Sequence, residues 1–311
     1  MIFNSLSFGI FLPVVFLLYW ITPNKKLTTQ NSLLLVCSYF FYACWDWRFL
    51  FLLVFSTLLD YVTGLKISDS EKPSIRKFWL WLSIVVNVGF LGFFKYFNFF
   101  ATSFTNALHG IGIKSSPWTI NIILPIGISF YTFHGLSYII DVYNRKIKPE
   151  KNIIDYAVFV SFFPLLVAGP IERASHLLPQ IRQKRTFHYQ TGIDGLKQIL
   201  WGLFKKIVIA DNCGEYANMV FDNASHTTGS AHLLGAVFFA FQIYGDFSGY
   251  SDIAIGTARL FGIDLIRNFA FPYFSRDIGE FWRRWHISLS SWFRDYVYIP
   301  CLLYTSDAAD E

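Results

Sequence analysis

RDIGEFWRRWHISLSSWFRDYVYIP, residues 276–300, sets one histidine, four arginines and three tryptophans beside runs apolar enough for a membrane. Wound as a helix at about 100° per residue, the stretch puts His286 on one face with Trp282, Leu289 and Phe293. Arg284, Ser288, Ser291 and Asp295 then point the other way. The segment reads as amphipathic, with its only imidazole on the less polar side. Burial there disfavours the imidazolium and leaves a neutral ring, the form that a general base needs. The competing reading is a membrane-surface helix whose histidine is satisfied by its neighbours.

Working outward, the composition sets the class. Of the 311 residues, 54% are hydrophobic, 20% aromatic and only 15% charged, well below the soluble norm of about 25% charged. A soluble fold of this length has no interior large enough for so many Phe and Trp, so a soluble class is excluded. The net charge of +5 is modest, and its basic residues fall in loops rather than on one face. That distribution suits membrane topology and anionic headgroups, not nucleic acid. Cys37, Cys44, Cys213 and Cys301 show no metal-ligand spacing, and no metal is expected. Cys37 and Cys44 lie in apolar runs and read as buried packing residues rather than a disulfide. The N-terminus has an apolar run but neither a basic leader nor a small-x-small cleavage site, so it reads as a retained span.

A span needs about 20 apolar residues. Candidates lie at 7–21, 32–45, 49–65, 78–97, 120–142, 154–168, 196–210 and 233–261. No repeat and no shift in composition marks a second domain, so the expectation is one all-α, polytopic integral membrane unit. Basic residues follow the first span (Lys25, Lys26), the third (Lys66, Lys72, Arg76, Lys77) and the fifth (Arg145, Lys146, Lys148, Lys151). The positive-inside rule then puts the N-terminus outside. Arg173, Arg182, Lys184 and Arg185 conflict with that orientation if segment 154–168 crosses the membrane. Pro164, Gly169 and Pro170 interrupt its helical pattern, so a broken or re-entrant segment is expected instead.

Two polar clusters sit within apolar sequence. FFPLLVAGPIERASHLLPQI (162–181) frees backbone groups that a bilayer tolerates only where protein or a water-filled cavity satisfies them. A cavity wall is expected for 164–173; a tight interhelical turn is the alternative. QIYGDFSGYSDIAI (242–255) carries Asp246 and Asp252 inside an apolar run, where a carboxylate is a functional-site candidate. Six residues apart, they stand about 120° apart around an ideal helix and make no same-face pair. Gly245 and Gly249 permit close packing or a break. Polar glue between helices is the plainer reading.

Several motifs carry a resemblance across nearly the whole chain. They are MIFNSLSFGIFLP (1–13), FFYACWDWRFL (40–50), STLLDYVTG (56–64), NVGFLGFFKYFNFF (87–100) and LPIGISFYTFHGLSYIIDVY (124–143), followed by the 162–181 cluster. IYGDFSGYSDIAIG and FWRRWHISLSSWFRDYVYIP complete the set. Together they resemble the membrane-bound O-acyltransferase family, in its bacterial alginate O-acetyltransferase branch. The resemblance implies a helical disc with re-entrant and interfacial helices, crossed by a narrow channel. It implies acyl transfer from a thioester-like donor, presented from the cytoplasm, to a hydroxyl on the far side. No bound cofactor is implied; the acyl donor is a substrate. His286 matches the first of two family histidines, with the role of orienting or deprotonating the acceptor hydroxyl. Arg173, Asp246, Ser248, Tyr250, Asp252, Trp282 and Trp285 are the candidates for lining the channel. The second family histidine has no counterpart, since the other six histidines all precede His286.

After Pro300 the sequence becomes CLLYTSDAADE, with no link to the preceding pattern. Residues 1–300 are therefore expected to be the N-terminal portion of one membrane domain, and 301–311 an artefactual tail. The expected function of the longer parent is O-acetylation of a secreted polysaccharide such as alginate, at the cell inner membrane, and residues 1–311 by themselves are expected to be inactive. Membrane lipids and extracytoplasmic polysaccharide-modifying proteins are the expected partners. D-alanyl transfer to teichoic acid and a non-catalytic transport or scaffold role are the alternatives.

Overall fold

Among the described residues every regular element of the computed structural model is helical. Those residues are 1–22, 27–113, 116, 120, 123–300 and 302. The basic pair Lys25 and Lys26 and the 301–311 tail, Leu302 apart, lie outside them. The α-helices are α1 (Leu6–Ile21), α2 (Leu27–Ala43), α3 (Arg48–Asp69), α4 (Pro73–Gly110), α5 (Ile128–Tyr143), α6 (Ile153–Ser161) and α7 (Phe163–Leu166). They continue with α8 (Ala174–Arg182), α9 (Tyr189–Leu203), α10 (Asp211–Asp222), α11 (Gly229–Leu260), α12 (Ile278–Arg284) and α13 (Ile287–Phe293). Two π-helical stretches, Phe204–Ala210 and Arg294–Tyr298, follow α9 and α13 without a break.

Of these, α3 and α4 are long and apolar enough to cross a membrane, and α1 is a shorter apolar helix. Most of the other expected spans depart from a long, uniformly apolar helix for local reasons. Segment 120–142 becomes helical only at Ile128, after Gly127 at φ 77. Segment 154–168 divides into α6 and α7 at Phe162. Segment 196–210 widens into a π-helix after Leu203. Segment 233–261 is long enough, but α11 carries Asp246, Asp252 and Arg259. Cys44 is exposed and Cys37 only half-buried, so the expected burial of Cys44 is corrected: α2 ends there and turns toward Trp45.

The two long helices are pinned by polar groups. Asp60 on α3 is almost fully buried, and its Oδ1 accepts hydrogen bonds from Ser83 Oγ (2.6 Å) and Asn87 Nδ2 (2.8 Å) of α4. Ser56 Oγ donates to Asn87 Oδ1 (2.6 Å), which fixes the amide. Bonds of this kind hold helices together where hydrophobic contrast with lipid is absent.

The platform for the site is the α9–α11 pair, whose backbones touch at two glycine contacts. A Cβ at Gly202 would lie 2.6 Å from Gly249 O, and one at Gly195 would lie 2.8 Å from Gly256 O. Of the two roles expected for the glycines in this part of α11, close packing is the one found. Gly249→Val should therefore destabilise the protein by ~1–3 kcal/mol, the usual cost of overpacking. Gly9→Val, where nothing stands within 4 Å, should cost little. Thermal unfolding in detergent compares them, and equal midpoints for the two variants would refute the close-contact account.

Candidate active site

The 276–300 stretch is not one helix. α12 ends at Arg284, Trp285 is extended, and His286 caps α13 at φ 44. A non-glycine residue in this left-handed region is uncommon, and such backbone clusters at functional sites. Loop residues hold the kink from outside: Ala270 N donates to Arg284 O and Ile287 N donates to Asn268 O, both at 2.9 Å. The helical phase read from sequence is thereby overturned. Ser288, expected opposite His286, is buried beside it and bonded to the same asparagine. Trp282 stands 55% exposed, while Leu289 packs toward Trp292.

His286 itself is half-buried among rings. Phe247 meets it edge-on with centroids 4.7 Å apart, and Phe269 lies roughly parallel at 6.3 Å. Trp285 packs on Phe269 and Phe281. His286 lies outside the two helices long enough to cross a membrane, and burial lowers its pKa to about 4. The ring is therefore neutral at physiological pH. Its Nδ1 lies 2.9 Å from Asn268 Oδ1.

Asn268 connects this ring to a cavity of about 930 Å³ between α9, α11 and the 265–274 loop. Lys205, Ser248, Ser251, Asp252, Arg267 and Asn268 bring polar groups to a lining that is otherwise largely aromatic and aliphatic. The π-helical turn sets up the wall. Lys205 and Lys206 follow one another on it and reach different sides of α11, and π-helical turns are frequent at functional sites. Lys205 ion-pairs with Asp252 and donates to Ser248 Oγ at 3.0 Å. Gln198 Nε2 donates to Asp252 at 3.0 Å, and Arg259 holds the Gln198 carbonyl at 2.7 Å. Lys206 pairs instead with Asp246 and Asp211, each at 2.6 Å.

The sequence candidates thus divide. Ser248 and Asp252 line the cavity. Trp285 belongs to the aromatic wall around His286. Asp246 and Tyr250 do not line the cavity: Asp246 serves Lys206, and Tyr250 Oη donates to Asn4 Oδ1 at 3.1 Å. Arg173 is also away from it, paired with Asp295 at 2.6 Å beneath the ring of Tyr296. The 164–173 segment is broken and mostly buried in protein rather than lipid-facing, and none of it lines this cavity. Side chains satisfy its backbone instead. Phe163 N donates to Ser38 Oγ (3.1 Å), Glu172 N to His134 Nε2 (3.0 Å), and Ala168 O accepts from Ser251 Oγ (3.2 Å).

Sequence reasoning missed Asn268, Ser251, Lys205 and Asp60. Asp60 had a signal, because an ionisable residue within a predicted span is itself a site candidate. Asn268 had only a faint one, an uncharged polar residue between Arg267 and Phe269 ahead of Pro272.

A helical protein with membrane-grade helices and a neutral histidine held beside a mainly apolar cavity with a few polar groups in its wall is the class that fold and site define. The chain belongs to the MBOAT, membrane-bound O-acyltransferase family, whose model matches residues 145–308. It is 43% identical over 301 residues to the probable alginate O-acetylase AlgI of Pseudomonas aeruginosa, covering 96% of this chain and 57% of that protein. It is 38% identical over 329 residues to the peptidoglycan O-acetyltransferase of Helicobacter pylori, covering 96% and 62%. The teichoic acid D-alanyltransferase of Bacillus subtilis is 31% identical over 181 residues, covering 58% and 46%. The chain spans about three-fifths of the length of the alginate and peptidoglycan relatives.

Proposed function

We propose that this protein is an O-acetyltransferase that moves an acetyl group from a thioester donor toward hydroxyls of a secreted polysaccharide such as alginate. The observation that carries this reading is His286, a half-buried neutral imidazole fixed at a backbone kink and joined through Asn268 to the cavity. In the reaction, His286 takes the proton of the acceptor hydroxyl while the oxygen attacks the thioester carbonyl. The carbon–sulfur bond breaks, and the thiolate leaves with that proton. Positioned proton transfer of this kind typically contributes ~10²–10⁴-fold. The far longer shared coverage with the O-acetylating relatives favours acetyl over D-alanyl transfer.

The protein works as a multi-pass helical disc in the cell inner membrane, with its N-terminus outside and the basic loops at 66–77 and 145–151 inside. Donor arrives from the cytoplasm, and extracytoplasmic partner proteins complete delivery to the polymer. Deleting the gene should remove ester-linked acetate from the polysaccharide, and returning it should restore that acetate, read by mass spectrometry of the polymer. Unchanged acetate after deletion would rule the reading out.

A further inference from the structure

We infer that the freed carbonyl of Ala168 sets, through Ser251 and Asn268, which ring nitrogen of His286 carries the proton, leaving Nε2 bare to act on substrate. This inference rests on the proposed catalytic role of His286 and adds two positioning residues to it.

The argument follows the polarity of one hydrogen-bonded chain. α7 ends at Leu166, and Gly169-Pro170 prevents its continuation. Ala168 O is therefore available to a side chain, and Ser251 Oγ lies 3.2 Å away. A carbonyl oxygen only accepts, so the Ser251 hydroxyl proton points at Ala168. Ser251 Oγ must then accept in its other contact, 3.1 Å from the Asn268 amide. That assigns the nitrogen of the amide to Ser251 and its oxygen to the opposite side. The far end agrees independently: Ser288 N, which only donates, lies 3.3 Å from Asn268 Oδ1, and Ser288 Oγ lies 2.9 Å from it. Asn268 Oδ1 faces His286 Nδ1 at 2.9 Å, and an amide oxygen only accepts. Nδ1 must therefore be the protonated nitrogen. In a neutral imidazole the other nitrogen is then the acceptor.

Asn268 and Ser288 are both buried, so water does not compete for these bonds. The chain joins the three motifs that stand apart in sequence: the Gly-Pro break, the Ser251 turn of α11 and the Trp-His kink. The charged and titratable groups around the cavity, Asp194, Lys197, Lys205, Tyr244, Asp252, Arg259, Arg267 and Tyr273, form their own contacts, and none of those contacts is to the His286 ring.

The test is solid-state ¹⁵N NMR of the histidine-labelled protein in membranes, with the His286→Gln spectrum subtracted. The expected His286 signal is a neutral ring with Nδ1–H and a bare Nε2. Asn268→Asp should raise the His286 protonation midpoint by ~1–3 pH units, as a carboxylate does at hydrogen-bond range. The acid limb of polymer O-acetylation should move up with it. Ser251→Thr keeps the hydroxyl and should keep the tautomer, whereas Ser251→Ala leaves only the Ser288 contacts to orient the amide and should let the second tautomer appear; an unchanged tautomer in Ser251→Ala would overturn the part of Ala168 and Ser251. An Nε2–H ring in the unaltered protein, or an unmoved midpoint in Asn268→Asp, would overturn the inference. The expected tautomer together with undiminished O-acetylation by His286→Gln would instead overturn the catalytic role of His286 and leave the relay standing.

Discussion

His286→Gln is expected to lower polymer O-acetylation by ~10²–10⁴-fold while leaving the amount of protein in the membrane unchanged. Glutamine fills much of the same volume, and the kink is held by backbone bonds from Asn268 and Ala270 that the substitution does not touch. What it removes is a basic nitrogen. The pH dependence of the unaltered protein separates this role from simple packing. Burial lowers His286 to about 4, so the unprotonated base persists as pH falls through 6.5 and is lost only near 4. Transfer should therefore survive between pH 5 and 6, where an ordinary imidazole is already mostly protonated. Full O-acetylation by His286→Gln would remove the histidine from the mechanism, and an acid limb at 6.5 would show that the ring is hydrated when the protein works.

How much of this was legible in the sequence varies with the range of the interaction. Composition and the apolar runs identified a helical membrane protein, because both depend on solvent transfer and need no partner. The break in 154–168 was legible for the same reason, since Pro and Gly act on their own backbone. The kink at His286 was not legible. Trp285 and His286 are neither proline nor glycine, and what bends them is a loop roughly 17 residues upstream that bonds on both sides of the junction. Assuming continuous helical phase therefore placed Ser288 opposite the histidine it accompanies. The lysine partners of Asp246 and Asp252 were invisible for a similar reason. Lys205 and Lys206 are adjacent in sequence, and which aspartate each one meets depends on how α11 packs against their turn.

The Lys205–Asp252 pair decides between the two readings of the α11 carboxylates, interhelical glue and functional group. Lys205 is 7% exposed, so Asp252→Leu strands an ammonium with Ser248 as its remaining hydrogen-bond acceptor. Breaking a buried pair from one side costs ~3–5 kcal/mol, a large fraction of the stability of most domains. Removing both charges relieves that penalty, since well-packed apolar replacements of a buried pair are often neutral or stabilising. Asp252→Leu should therefore sharply lower the thermal midpoint in detergent, and Lys205→Met with Asp252→Leu should recover most of it. Stability alone does not distinguish the readings, because both predict this pattern. Activity does, since the pair lines the cavity and Gln198 and Arg259 hold its carboxylate in place from behind. If the charges orient donor or acceptor, the double variant should be stably folded and still fail to O-acetylate the polymer. A double variant that is both stable and fully active would reduce Asp252 to glue and leave His286 and its relay as the chemistry of this site.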